Sequence, residues 1–149
     1  MIKNDRQYKI TKKRVADFEK ALADLAQRSP TKNVTPRLAR AQREAIESQV
    51  MDLREEVDDY EKLRTGKVSV LHVEGVLDIP IALIRARIAR GLTQKGLGQL
   101  IGVKEQQIQR YEAENYQTAT LSRIAEVAAA LDVKIHEDID LRSHPTVTD

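Results

Sequence analysis

Hydrogen-bonding side chains are concentrated in the short segment from Lys104 to Arg110. A glutamine amide can bond adenine at two points, an arginine can bond O6 and N7 of guanine, and a glutamate can accept from cytosine or repel phosphate. If Ile108 is buried on a helix, Gln106 and Arg110 project about 160° and 200° away from it. For the other two glutamines, solvated helix surface is an equally good interpretation. The candidate base-reading residues are Glu105, Gln106, Gln107, Gln109 and Arg110.

A pair of helices must position this segment, and residues 94–113 have the pattern of a helix-turn-helix. Gly98 is small where two helices cross closely, and Gly102 suits a sharp turn that needs positive φ. A generic helical hairpin with a turn glycine is the alternative, but it does not require all seven constrained positions. The five apolar positions of the pattern are Leu97, Ile101, Val103, Ile108 and Tyr111.

Four short helices are predicted between Asp78 and Val133. Asp78-Ile79-Pro80 is a helix-start signal and Gly91 is a helix end. Thr93 and Thr120 are predicted caps of the second and fourth helices, whereas Lys104 is a poor cap for the third. The residues predicted to face the core are Ile84, Ile88, Leu97, Leu100, Ile101, Ile108, Tyr111, Leu121, Ile124, Val127, Ala128 and Leu131.

The run from Leu92 to Val103, followed by Ile108-Gln109-Arg110-Tyr111-Glu112, resembles the lambda-repressor-like, Xre-type helix-turn-helix family. The resemblance covers about residues 79–133. It implies a compact helical DNA-binding domain whose third helix enters the major groove. Two departures are the Lys104 start of that helix, where a small hydroxyl residue is usual, and Gly96 with Gly98, which each weaken the second helix by about 1 kcal/mol relative to Ala.

The same resemblance implies a separate set of contacts to the DNA backbone. The start of the second helix would anchor one phosphate, and the connection after the third helix would lie where the next phosphates pass. Arg87 and Arg90 are weaker candidates, since exposed helix arginines more often solubilise. The candidate phosphate-positioning residues are Thr93, Gln94, Lys95, Lys104, Asn115, Tyr116 and Gln117.

Two amphipathic helices are predicted before this region, from Lys12 to Arg28 and from about Arg37 to Arg64, with the break at Ser29–Pro36. So short a coiled-coil-like hairpin needs something to pack on. It can pack against the rest of the chain, form a homodimer contact or dock another protein. The seam consists of Val15, Phe18, Leu22, Leu25, Ile46, Val50, Leu53, Val57 and Tyr60.

Charge is segregated along a chain whose net charge is only +2. Residues 1–43 carry 12 basic and 4 acidic side chains, a net of +8, whereas residues 44–64 carry 3 and 8, a net of −5. The simplest interpretation is complementarity between packed helices, and the alternative is an acidic partner. Residues 79–116 carry only +3, which predicts modest non-specific DNA affinity for one domain and favours a dimer.

Composition excludes several classes of function. There is no cysteine, which excludes disulfides and thiolate chemistry, and no apolar run reaches the roughly 18 residues that span a membrane. The residues after Met1 form no apolar signal core, so a cytoplasmic protein is expected. His72, His136 and His144 have no nucleophile spacing, and residues 136–140 suit a solvated strand edge better than a metal site. We therefore expect no enzyme activity, metal or cofactor.

The expected fold is mainly α, in four parts. A helical hairpin for dimerisation or partner docking spans 1–64, and a linker or short strand spans 65–78. A four- to five-helix DNA-binding domain spans 79–133, and a short strand with a flexible tail spans 134–149. Val68–Val73 and residues 133–141 alternate in the manner of strands and can form one two-stranded sheet.

The sequence predicts a DNA-binding transcriptional regulator, specifically a dimeric repressor that reads an inverted repeat in double-stranded DNA. The alternative is an antitoxin that neutralises a small toxin protein with its amino-terminal helices and autoregulates its operon. Its support is a layout similar to that of HigA-type antitoxins. A pure protein-interaction module is disfavoured by the polar residues that would face the groove.

Overall fold

The computed structural model describes residues 1–27, 34–136 and 138, and these residues are mainly helical, with six α-helices and no strand. None of these helices has the length and apolar character needed to cross a membrane. The six helices are α1 (Asp5–Gln27), α2 (Pro36–Arg64), α3 (Ile79–Ala89), α4 (Gln94–Leu100), α5 (Glu105–Ala113) and α6 (Leu121–Ala130), with a 3-10 turn at Val76–Asp78 before α3.

Helices α1 and α2 form the predicted hairpin, with one difference in its bounds. α2 begins where expected, because Thr35 caps it by accepting a hydrogen bond from the backbone N–H of Leu38 at 3.3 Å. α1 begins at Asp5 rather than Lys12, because the Asn4 side chain accepts from the N–H of Gln7 at 2.9 Å and so starts the helix two turns earlier.

The hairpin seam is only partly buried. α1 has no fully buried residue, and Val15, Phe18, Leu22 and Leu25 are all half-exposed. In α2, Val50 and Tyr60 are buried, while Leu53 and Val57 are half-buried. The two helices therefore cover one another incompletely along their length.

The main core lies among α3 to α6 and is completed from the amino-terminal region. Leu83, Ile84, Leu97, Ile108 and Val127 are at most 1% exposed. Ile2, Tyr60 and Leu63, which precede the predicted DNA-binding domain, belong to the same cluster. The hairpin and the helices that follow thus share one core.

Two residues predicted to face the core are exposed, Leu100 by 58% and Leu121 by 75%. In α4 the buried residues are Gln94, Leu97 and Gly98, and Leu100 lies about 110° around the helix from their mean direction. Leu121 is the first residue of α6, next to its cap, and the buried face forms one turn later at Ile124, Val127 and Ala128.

The predicted short strand at Val68–Val73 is not formed. The segment is irregular, with Val68 and Leu71 packed on the core and Val70 66% exposed, because no described segment pairs with its backbone. Of the second predicted strand, residues 133–136 are also irregular. Residues 137 and 139–149, which include the predicted tail, lie outside the described residues, as do residues 28–33 in the predicted break.

Candidate nucleic-acid interface

Helices α4 and α5 meet in the turn that the glycine spacing predicts. Thr93 caps α4 by accepting from the N–H of Gly96 at 3.0 Å, and Gly102 adopts φ +71° in the turn. A Cβ atom on Gly98 would lie 2.7 Å from the carbonyl oxygen of Val103, which is closer than two such atoms can approach. The two backbones can therefore cross only because residue 98 has no side chain.

One face of α5 is buried and the opposite face is open. Ile108 and Glu112 are fully buried, and Lys104 precedes the helix without a side-chain cap, as expected. Gln107 is half-buried and lies at the flank. The open face presents Glu105, Gln106, Gln109 and Arg110 to solvent.

Two of these exposed side chains contact acidic residues four positions away along the chain. Gln109 donates a hydrogen bond to Glu105 at 3.1 Å, and the guanidinium of Arg110 lies 3.8 Å from the carboxylate of Glu114. Both contacts are exposed, and such pairs contribute well under 1 kcal/mol. The side chains of Gln109 and Arg110 can therefore leave these partners and bond base edges at little cost in free energy.

The orientation of α5 is fixed by a buried ionic network. Arg87 of α3 donates to both oxygens of the Glu112 carboxylate, at 2.5 and 2.7 Å, and its side chain is only 3% exposed. Gln94 donates to the same carboxylate at 2.8 Å. Arg87 also donates to the carbonyl of Leu92 at 2.7 Å. A carboxylate so surrounded is held in one position, and so is the helix that carries it.

This network corrects the expectation for Gln94, a predicted phosphate ligand, and for the weaker candidate Arg87. The Gln94 side chain is 8% exposed and is committed to Glu112, so it faces inward rather than toward DNA. Arg87 is buried for the same reason. Thr93, Lys95 and Lys104 lie at the surface, and Arg90 donates to the carbonyl of Asp132 at 3.0 Å.

The connection after α5 also differs from the expectation. Tyr116 is 2% exposed, its ring lies 5.6 Å from that of Tyr111, and burial raises the pKa of its hydroxyl. A phenol in that position cannot contact a phosphate. Asn115 and Tyr116 both adopt positive φ, 49° and 57°, which turns the chain sharply at this point. Gln117 is exposed.

The first residues of the chain pack on the helix-turn-helix, which the sequence patterns did not indicate. Ile2 is 3% exposed in the core, and the carbonyl of Lys3 accepts from Arg87 at 2.6 Å. The ammonium of Lys3 donates to the carbonyl of Glu112 and, at 2.8 Å, to the side chain of Asn115. Burial lowers the pKa of Lys3, although the Glu112 charge opposes that shift. A four-residue segment has no periodicity, so no pattern could reveal it.

The start of α1 is also tied to the end of α2. Asp5 accepts from the hydroxyl of Tyr60 at 3.0 Å and from Arg64 at 2.8 Å. Burial first, and then the bond to Asp5, raise the pKa of Tyr60 to about 12. Because Asp5 and Lys3 are both fixed, the first turns of α1 have a defined position relative to α5.

An open cleft separates these first turns from the exposed face of α5. Arg6 and Ile10 line one wall, and Glu105, Gln109 and Ala113 line the other. α1 therefore begins directly beside the side chains that the sequence assigns to base reading.

Comparison with known proteins agrees with this geometry. Residues 83–137 match the family model described as helix-turn-helix. No curated protein and no solved structure matches the chain. The matched segment contains α3 from Leu83 onward, all of α4 to α6, the glycine turn and the exposed face of α5. Over this segment the chain matches the Xre-type, lambda-repressor-like helix-turn-helix family of DNA-binding domains.

Proposed function

We propose that the protein is a dimeric transcriptional repressor that reads an inverted repeat with α5. The observation that supports base reading is the division of α5 into two faces. Ile108 and Glu112 fix one face in the core, while the opposite face exposes Glu105, Gln106, Gln109 and Arg110 to solvent. A helix that is fixed on one face and carries exposed polar side chains on the other is the arrangement that reads base edges in the major groove.

Two features support a dimer. The segment 79–116 carries a net charge of only +3, so a single domain gains little from phosphate neutralisation. The hairpin seam is half-covered, and Leu38 and Met51 of α2 are 49% and 70% exposed. A second copy packed on the hairpin would cover exposed apolar side chains and pair two reading helices.

The exposed apolar surface of the hairpin also supports the second candidate, an antitoxin whose hairpin docks a small toxin. The two candidates share the DNA-binding domain and differ in what covers α1 and α2. Sedimentation velocity of the purified protein distinguishes them. The repressor proposal expects a dimer without any other protein, whereas a monomer that gains mass only with a co-expressed neighbouring gene product would favour the antitoxin.

Base reading is tested with duplexes selected by the protein from a random DNA library. Fluorescence anisotropy would compare the selected duplex with a scrambled duplex of the same composition, for the wild type and Arg110→Ala. Because a bidentate arginine contact discriminates by about 1–3 kcal/mol, the substitution should reduce the preference for the selected duplex roughly 5- to 150-fold. Arg43→Ala, an exposed arginine of α2, is the control and should leave the preference unchanged.

If the wild type binds both duplexes equally, or if Arg110→Ala keeps the full preference, α5 does not read the sequence as proposed.

A further inference from the structure

The first three turns of α1 are strongly basic and remain largely unpaired. Residues 6–14 contain five basic side chains and no acidic one. Of these five, Lys12 alone has an ion-pair partner within the part of the chain that the structure describes, namely Glu61 at 3.3 Å. Arg6, Lys9 and Lys13 are exposed and have no carboxylate within ion-pair distance among residues 1–27, 34–136 and 138.

These three cations lie on one side of the helix. They are spaced by three and four residues, which places them in one stripe. The half-buried residues Val15, Phe18 and Leu22 mark the side that faces α2, and the stripe lies on the side away from it. Packing between α1 and α2 therefore does not account for these charges, although charge complementarity was the simpler expectation from the sequence.

The position of the stripe relative to α5 is fixed. Arg6 directly follows Asp5, which is held by hydrogen bonds from Tyr60 and Arg64. Arg6 lines the cleft, and the opposite wall of the cleft carries Glu105 and Gln109. A helix lying in the major groove, which is about 12 Å wide, has a phosphate backbone on each side. Because α1 lies beside α5 across an open cleft, we expect it to lie close to one of these two phosphate backbones.

We infer that the basic stripe Arg6, Lys9 and Lys13 of α1 is a second DNA-contacting surface, which binds phosphates that flank the base pairs read by α5. This inference rests on the proposed function, because it needs α5 in the groove. It assigns to the hairpin a direct role in DNA affinity in addition to any role in dimerisation. Phosphate contacts carry no sequence information, so the stripe adds affinity without changing the preferred sequence.

The salt dependence of binding tests this assignment. Each neutralised phosphate contributes about 0.9 to the slope of log K against log salt concentration. The variant Arg6→Gln, Lys9→Gln, Lys13→Gln should therefore have a slope smaller by two to three than the wild type on the selected duplex. Its preference for the selected over the scrambled duplex should be unchanged.

The matched control removes three positive charges at the far end of the hairpin, with Arg37→Gln, Arg40→Gln and Arg43→Gln. All three are exposed, and Arg43 lies 21 residues, about 32 Å along the helix, from the end of α2 at Arg64. The control should keep the wild-type slope. Circular dichroism and sedimentation of both variants confirm that fold and assembly state are retained.

The outcomes separate this inference from the proposed function. A slope that is unchanged in the stripe variant, or reduced equally in the control, overturns the inference and leaves sequence reading by α5 intact. A reduced slope in a protein that does not distinguish the two duplexes supports the stripe and overturns sequence reading. Absence of DNA binding in the wild type overturns both.

Discussion

At the scale of single residues, Glu112 connects three separate parts of the chain, and its position in the sequence does not indicate this role. Its carboxylate accepts from Arg87 and Gln94, and its carbonyl accepts from Lys3. Its neighbours along α5, Arg110 and Gln109, belong to the open face. Glu112, for which no DNA contact is proposed, therefore fixes the orientation of the open face of α5.

Replacing Glu112 with alanine should be among the most damaging single changes outside the apolar core. It would leave the Arg87 guanidinium buried without its counter-charge, which costs about 3–5 kcal/mol of unfolding free energy. Urea denaturation followed by circular dichroism measures this loss. Glu126→Ala, which removes the exposed partner of Arg123, should cost less than about 1 kcal/mol.

The double variant Arg87→Met, Glu112→Leu provides a stricter test. It removes both charges together, so it should be more stable than Glu112→Ala alone. If the double variant is the less stable of the two, the cost of Glu112→Ala does not come from an uncompensated buried charge.

At the scale of elements, the helix-turn-helix was predictable because its constraints are local. Gly98, Gly102, Thr93 and Thr120 act on backbone atoms within a few residues of themselves, and each has the predicted role. Leu100 could not be assigned correctly, because its exposure depends on which way the seven-residue helix α4 rotates against its neighbours.

The packing of α4 on α5 predicts opposite effects for two neighbouring glycines. Gly98→Ala would force Cβ to within 2.7 Å of the Val103 carbonyl, a backbone atom, and overpacking of this kind costs about 1–3 kcal/mol. Gly96→Ala meets only side-chain atoms of Leu92 and Thr93 at 3.4 Å. It should stabilise the protein by up to about 1 kcal/mol, because alanine is the better helix former.

Thermal unfolding of the two variants measures both effects. A Gly98→Ala protein as stable as the wild type would show that the backbones of α4 and α5 can separate without loss.

At the scale of the whole molecule, the hairpin and the DNA-binding domain are linked by shared core residues. Local patterns predicted two units and the order of their helices, although α1 begins seven residues before its predicted start. They could not predict that Ile2, Tyr60 and Leu63 complete the core among α3 to α6, because those contacts join residues far apart in sequence. For the same reason, Gln94 and Tyr116 were assigned to phosphate although the fold places their side chains inside.

Removal of residues 1–64 should therefore weaken the remaining domain. Burial of each large apolar side chain contributes about 1.5–3 kcal/mol, so loss of these three amounts to a large part of a typical stability of 5–15 kcal/mol. The fragment 65–149 should unfold at a lower temperature and with a broader transition than the full chain, measured by circular dichroism. A fragment with the full-length melting temperature would show that the hairpin is a separable module.

The attachment of Lys3 to Asn115 has a consequence for the order in which the chain acquires its structure. The two residues are separated by 112 positions, whereas only four residues of chain lie between the end of α4 at Leu100 and the start of α5 at Glu105. During synthesis, Ile2 and Lys3 leave the ribosome long before their binding site exists, and closing so long a loop is slower than forming neighbouring helices. The helix-turn-helix should thus form first, and the amino-terminal segment should dock last, which makes the placement of the basic stripe beside α5 the final step of folding.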